Sequence, residues 1–548
     1  MRMTRLVQTD KYLALLLTAL ILGLPYVALS QEKVKDKIAD SLNLHSPQSL
    51  HAKHNGITAV SIPIETVKKT GKFASKQSFN AIAGIRNAIT DAEAAVLPSQ
   101  GASNQPLYPE SKRVDIAFDK TKEPMIILAV SGGGSRAAYY TACVFEQLAQ
   151  TPDPLTPNES ILDRVKVISA VSGGSLASAY YTMNFDKRHD ANFYALFKDK
   201  MARNYSARLF GKMTLWPPTT TQIVATEKTR TDVLGDILGS VLGKNKTFND
   251  LQNQYVQAPE NRKPPILVLN GTVWNTGTRI VMTNLPSQRF PATVNKKMLN
   301  DEMIQPRSYK ETNNILKPLH FETFGSDIGT FKLSKAVACS MAYPIWLSPM
   351  SLKVYPDNIP PEQQGILPDR VRNSRWIQVC DGGVFANDGI DSVLSLVKTM
   401  PQNTPVMVIY IHGGFGLEPM ASTRDRIWGV SSVINRMYDI GNSRPMPFYL
   451  NMVSELHNKD KIVMLPISLG GYTPKQTLRL FEIPTALRLS PFNRNRIDAV
   501  ASQNVHDIIP GINEGLLMLG GKKSPEATKR AIRGVLQNMQ ARRAEPEV

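Results

Sequence analysis

The chain has 548 residues, 42% of them hydrophobic and 20% charged, with a formal net charge of +18. That composition suits a globular protein with a sizeable core, either one large α/β domain with additions or two or more domains, and no repeat or low-complexity tract interrupts it. The basic balance points to anionic partners such as nucleic acid or acidic lipid headgroups. The cations are scattered and no nucleic-acid motif accompanies them, so a merely basic soluble protein accounts for the charge equally well.

In chain order, residues 1–30 carry Arg2, Arg5 and Lys11, then the apolar run Tyr12–Leu24, then Ala28-Leu29-Ser30. This is the pattern of a secretory signal peptide, with cleavage expected after Ser30. An uncleaved anchor over Tyr12–Leu29 is the competing reading, and either would export the rest of the chain. Residues 31–120 read as a polar N-terminal extension, with an amphipathic helix around Ser78–Val96 and a linker at Ser99–Pro109. Residues 121–515 hold the strand and helix signals of the main domain. Residues 516–548 end the chain with a basic amphipathic helix over Lys522–Arg543, expected to present a solvated face.

Within the main domain, Pro124–Val130 is a continuous apolar run and predicts a buried strand. It leads into Ser131-Gly132-Gly133-Gly134-Ser135-Arg136 and a helix to about Gln150. A glycine-rich loop between strand and helix presents backbone N–H groups and collects negative charge. No Lys-Ser/Thr follows, as a phosphate-binding loop of the G-x4-G-K-[ST] type needs, and the third glycine of a dinucleotide fingerprint is absent. An oxyanion hole needs only free amides aimed at a tetrahedral intermediate, which this loop supplies. Arg136 is placed to brace the loop or contact a phosphate, or simply to form a surface ion pair.

Val165–Ser178 (VKVISAVSGGSLAS) predicts a strand, a tight turn at Ser172-Gly173-Gly174 and a helix of small residues. Such a turn holds its central residue in a strained conformation and demands small neighbours. Here these are Ala170 and Gly174, so a serine hydroxyl stands at the positive end of a helix. Gly173-Gly174-Ser175-Leu176-Ala177 fits a looser version of the same pattern, but Ser172 abuts the strand directly and is preferred. The same residues also suit an ordinary strand-to-helix connection.

A mostly helical region then runs to about Leu251, broken at Trp216-Pro217-Pro218. Pro265–Val273 predicts another buried strand, 275–330 a weakly patterned insertion, and Tyr355–Arg375 a Pro-rich loop. Trp376–Cys380 predicts a short strand ending at Asp381-Gly382-Gly383, and Val406–Ile411 one ending at His412-Gly413-Gly414, after which helices and loops are expected. Strands alternating with helical stretches argue a parallel, doubly covered sheet. In such sheets the strand C-termini gather on one edge, where ligands bind. Gly132–Gly134, Ser172 and Asp381 all stand at strand ends. A serine hydroxyl needs a base to attack a carbonyl. A carboxylate serves if burial raises its pKa; Asp-Gly is also a common turn dipeptide. Cys143, Cys339 and Cys380 are odd in number and widely spaced, with no metal-site pattern. Cys143 and Cys380 lie in apolar stretches and read as buried thiols.

These motifs together resemble the patatin-like phospholipase family, related to the catalytic domain of the cytosolic phospholipase A enzymes. LAVSGGGSRAA resembles its glycine-rich loop with the following Arg, and ISAVSGGSLAS its nucleophile elbow. Ala338-Cys339-Ser340-Met341-Ala342-Tyr343-Pro344 resembles its A-S-x-A-x-P stretch, and DGGVFAND its D-G-G/A motif. The resemblance covers roughly Pro124 to His412, with Ala170 in place of the usual elbow glycine. It implies a three-layer α/β/α sandwich with a mostly parallel central sheet. It implies hydrolysis of fatty-acyl esters through an acyl-serine, with Ser172 as nucleophile and Asp381 as base. Gly132, Gly133 and Gly134 would form the oxyanion hole, and Arg136 would brace it or bind the lipid phosphate. A Ser–Asp dyad needs no cofactor or metal, and calcium would require a separate lipid-binding module, of which no sign is seen. The expected partner is a lipid at an anionic membrane surface, not nucleic acid, and the expected site is periplasmic, envelope-associated or secreted. Two rivals remain. One is a Ser–Asp–His hydrolase drawing on His412, His457 or His506; the other is a catalytically silent lipid- or envelope-binding protein of the same fold.

Overall fold

A computed structural model describes residues 102–107, 113–115, 123–214, 228–291, 317–344, 346–401, 403–414, 461–470, 483 and 485–544. The signal-like residues 1–30, the helix expected at Ser78–Val96, the Trp216-Pro217-Pro218 break and His457 lie outside them. The chain divides into two compact units, and the described residues belong to the one formed by 101–220 and 228–548.

That unit is built on a mixed sheet. Its strands are β2 (Met125–Val130), β3 (Val165–Val171), β4 (Ile266–Val273), β5 (Thr278–Thr283), β7 (Met350–Lys353), β8 (Trp376–Asp381), β9 (Val406–His412) and β10 (Ile462–Ser468). A separate two-stranded ribbon pairs β1 (Gln105–Pro106) with β6 (Ser326–Asp327). The strands β10, β9, β2, β3 and β4 are parallel neighbours in that order. Antiparallel pairs β4–β5, β4–β8 and β8–β7 complete the sheet.

Both faces are covered, which is why β2 is buried at every position and reads as an unbroken apolar run. On one face Met125, Ile127 and Ala129 of β2, Val167, Val268 and Val408 meet Ile390, Val393, Leu394 and Val397 of a helix spanning Ile390–Lys398. On the other face pack α1 (Gly134–Gln150), α2 (Ser172–Met183) and the long helix Pro491–Leu519. The result is a three-layer α/β/α arrangement with a mostly parallel central sheet. A terminal helix, Pro525–Ala544, lies against Pro491–Leu519.

Several sequence expectations need correction. The 275–330 segment contains β5, which folds back on β4 through a turn at Gly277 with φ 69°. Its run TRIVMT is rich in β-branched residues, but one short strand inside a polar segment gives little periodicity. Strand β10 falls in a stretch where helices and loops were expected to dominate. It holds Pro466, which argues against a strand except at a sheet edge, and β10 is the edge of the described sheet. The sheet is mixed because β8 runs antiparallel to β4, which no local pattern in Trp376–Cys380 reveals. The described part of the Ser99–Pro109 linker is anchored. Asn104 is fully buried, donating to Ser326 Oγ at 3.0 Å and the Lys353 carbonyl at 2.8 Å and accepting from the Lys353 amide at 2.8 Å.

Candidate active site

The antiparallel entry of β8 brings the key residues together. β5 occupies one edge of β4 from Val268 to Val273, so β3 and β8 must share the other. β3 pairs up to Val171–Asn270, and β8 takes over at Asp381–Gly271. Two strands of opposite direction therefore meet end to end, C-terminus to C-terminus, along one edge. Ser172 follows the end of β3 and Asp381 is the end of β8. The Ser172 Oγ donates to Asp381 Oδ2 at 2.8 Å.

Ser172 has φ 51°, the one positive-φ non-glycine among the described residues. The left-handed region is costly for a residue with a Cβ and persists only where neighbours fix it. The neighbours here are packed too tightly for side chains. A Cβ on Gly173 would stand 2.0 Å from the Gly134 carbonyl oxygen, and one on Gly174 2.6 Å from that of Ser131. Ala170 is fully buried within β3 and pairs with Val130 and Leu269, so an alanine fits there.

Asp381 is 1% exposed. Its Oδ1 accepts the Gly383 amide at 2.8 Å, and its main chain is held by the Ala342 carbonyl and the Thr272 hydroxyl. Burial pushes its carboxyl up to about 7, against the hydrogen bonds from Gly383 and Ser172 that pull it down. The group is therefore poised to exchange a proton near neutral pH.

The glycine loop arrives from β2. Gly133 (φ 139°) and Gly134 (φ 62°) adopt backbone angles that side chains disfavour. Their amides stand at the N-cap and first position of α1, among the donors that a helix's own bonding leaves unused. Gly132 differs from expectation: its amide donates to the Asn387 carbonyl at 2.9 Å, which commits the donor that the resemblance assigned to an oxyanion hole. The N-termini of α1 and α2 converge beside Ser172, and their dipoles favour negative charge there. Arg136 is buried, with Nε on the Gly413 carbonyl at 3.0 Å and Nη1 on the Ile483 carbonyl at 2.8 Å. These bonds tie the start of α1 to the chain after β9 and to Ile483.

Of the candidate histidines, the two described ones, His412 and His506, do not join this pair. His412 ends β9, two strands from β3, or roughly 10 Å across the sheet. Its ring stacks on Tyr410, and burial and the nearby Arg136 charge push its pKa down to about 4. His506 is exposed on the helix Pro491–Leu519. The hydrogen-bond partners of the Asp381 carboxylate among the described residues are Ser172 and Gly383. Cys143, Cys339 and Cys380 are buried free thiols, and burial pushes all three pKa values up, that of Cys380 to about 12. No cluster of three or more His, Cys, Asp or Glu side chains suited to a metal occurs among the described residues.

Three residues around the pair carried no individual assignment in the sequence reading. Asn387 caps the Gly132 amide, and its Oδ1 stands 2.2 Å from where a Gly132 Cβ would be. Asn270 donates from Nδ2 to Ser169 Oγ and the Ala170 carbonyl, each at 3.0 Å. Ser340 contacts the Ser172 amide. Asn387 and Ser340 lie inside the quoted motifs; for Asn270 the only signal was a polar residue in an otherwise apolar strand.

The family model described as patatin-like phospholipase matches residues 128–394. Among solved structures, human GIVD cytosolic phospholipase A2 aligns at 11% identity and a TM-score of 0.40, over 75% of this chain and 64% of that one. VipD from Legionella pneumophila aligns at 10% identity and a TM-score of 0.27, over 77% of this chain and 75% of that one. The chain thus spans about 64% of the human enzyme's length in the first of these alignments. No curated protein matches. Residues 128–394, which carry the glycine loop, Ser172 and Asp381, are thus similar to the patatin-like phospholipase family.

Proposed function

We propose that the protein is an exported lipid acyl hydrolase that cleaves fatty-acyl esters through an acyl-serine on a Ser172–Asp381 dyad. One observation carries the reading: the 2.8 Å hydrogen bond from the Ser172 hydroxyl to a buried carboxyl held up to about 7. In its ionised form Asp381 takes the Ser172 proton as Oγ attacks the ester carbonyl. The Gly133 and Gly134 amides and the two helix N-termini stabilise the oxyanion of the tetrahedral intermediate. As the intermediate collapses, the C–O bond to the leaving alcohol breaks and Asp381 returns the proton to that oxygen. Asp381 then deprotonates a water that attacks the acyl-serine. The second collapse gives the proton back to Ser172 and releases the fatty acid. Arg136 keeps the glycine loop in place throughout.

The family supports a lipid substrate. The net charge of +18 supports work at an anionic membrane surface, and the signal-like residues 1–30 support export. The experiment is fatty-acid release from mixed phospholipid vesicles by residues 31–548, beside Ser172→Ala and Asp381→Asn. Wild-type release should fall on the order of 10³-fold in each variant. A wild type silent on phospholipids and simple esters alike, yet able to bind the vesicles, would instead make this a silent lipid-binding protein.

A further inference from the structure

The end of β3 leaves a gap in the sheet. Val171 pairs with Asn270, but Ser172 turns into α2 instead of making the next rung. The Ser172 amide and the Asn270 carbonyl both face that gap, and the Ser340 hydroxyl fills it. Ser340 is the last residue of the helix Leu333–Ser340 and is fully buried. Its Oγ accepts from the Ser172 amide at 3.0 Å, donates to the Asn270 carbonyl at 2.6 Å and lies 2.8 Å from Ser175 Oγ.

Proton counting fixes the directions. A hydroxyl has one proton and two lone pairs. A carbonyl only accepts, so the Ser340 proton goes to Asn270. An amide only donates, so one lone pair takes the Ser172 N–H. In the remaining contact Ser175 is the donor. The Ser340 hydroxyl is thereby saturated, and the proton of the fully buried Ser175 is committed to it. Ser172 alone of the two serines turns its proton toward a carboxylate.

We propose that Ser340 is a positioning residue for the nucleophile: its hydroxyl ties the Ser172 amide to the Asn270 carbonyl and so holds the turn in its left-handed conformation. The inference rests on the reading of Ser172 as nucleophile for its catalytic meaning, but its structural core is testable without activity.

The test follows deuterium uptake of the peptide containing the Ser172 amide in the full chain. Compared are the wild type, Ser340→Ala, and Ser340→Thr, which keeps the hydroxyl. The Ala variant should exchange that amide at least about tenfold faster, and Thr should restore protection. A folded Ala variant exchanging at the wild-type rate would overturn the proposal. If Ala does not fold, Ser340→Cys, a weaker donor and acceptor of similar size, should give intermediate exchange; wild-type exchange there would count against the proposal in the same way. With a soluble fatty-acyl ester, Ser340→Ala should lower kcat roughly 10–100-fold with KM little changed and the pH midpoint unmoved, and Thr should recover kcat. A Thr variant as slow as Ala despite restored protection, or a loss confined to KM, would contradict the positioning role. Ser175→Ala should keep acylation at Ser172, and transfer of the acyl label to Ser175 in the wild type would sink the assignment. A wild type that hydrolyses no ester defeats the hydrolase reading, while the exchange result still decides whether Ser340 holds the turn.

Discussion

Ser172 and Asp381 are held in states that free residues avoid. The serine sits at φ 51°, and the carboxyl is buried with two hydrogen bonds in place of water. Such costs concentrate where chemistry needs a fixed geometry. The raised carboxyl has a measurable consequence. Its folded pKa of about 7 lies above the ordinary 3.8, so the folded protein holds a proton that the unfolded chain has released. The stabilising contribution of that proton is complete below about pH 4 and disappears as pH rises through about 7. Asp381→Asn removes the titration. Denaturant unfolding of the wild type should therefore lose stability between pH 5 and pH 8, relative to Asp381→Asn, by on the order of 2 kcal/mol. Parallel curves for the two proteins would show that the carboxyl is not raised.

At the scale of elements, the site depends on β8 entering antiparallel beside β3 on one edge of β4. The closeness of this junction is tested by glycine. Gly173→Ala would press a methyl to 2.0 Å from a backbone oxygen and should destabilise by about 3 kcal/mol or more. Gly277→Ala, in the β4–β5 turn, meets open space and suffers only its positive φ, about 1 kcal/mol. Equal costs in chemical denaturation would mean the junction is looser than described. The same geometry separates what was legible in the chain from what was not. The turn at Ser172, the loop after Val130 and the Asp-Gly-Gly turn are local patterns, and the structure places each at the end of a strand. The direction of β8, the β5 hairpin and the edge strand β10 are set by partners far along the chain. So are the link from Ser340 to Ser172, which spans 168 residues, and the Asn387 carbonyl that takes the Gly132 amide. No window of sequence contains both ends of these contacts.

For the whole molecule, the three layers exist to hold one edge of the sheet still. Helices cover both faces, the β1–β6 ribbon fastens the residues around Asn104, and Arg136 ties the glycine loop to the chain after β9 through Gly413. What the assembly brings together is a serine, a carboxyl near neutral pKa and the N-termini of two helices. The most direct test of the account is kcat/KM for a soluble fatty-acyl ester from about pH 5 to about pH 9. The account predicts a rate that climbs with pH through a midpoint near 7, as Asp381 becomes a carboxylate able to take the Ser172 proton, with the climb and the activity both gone in Asp381→Asn. A flat wild-type profile, or an Asp381→Asn variant that keeps the wild-type rate, would contradict it.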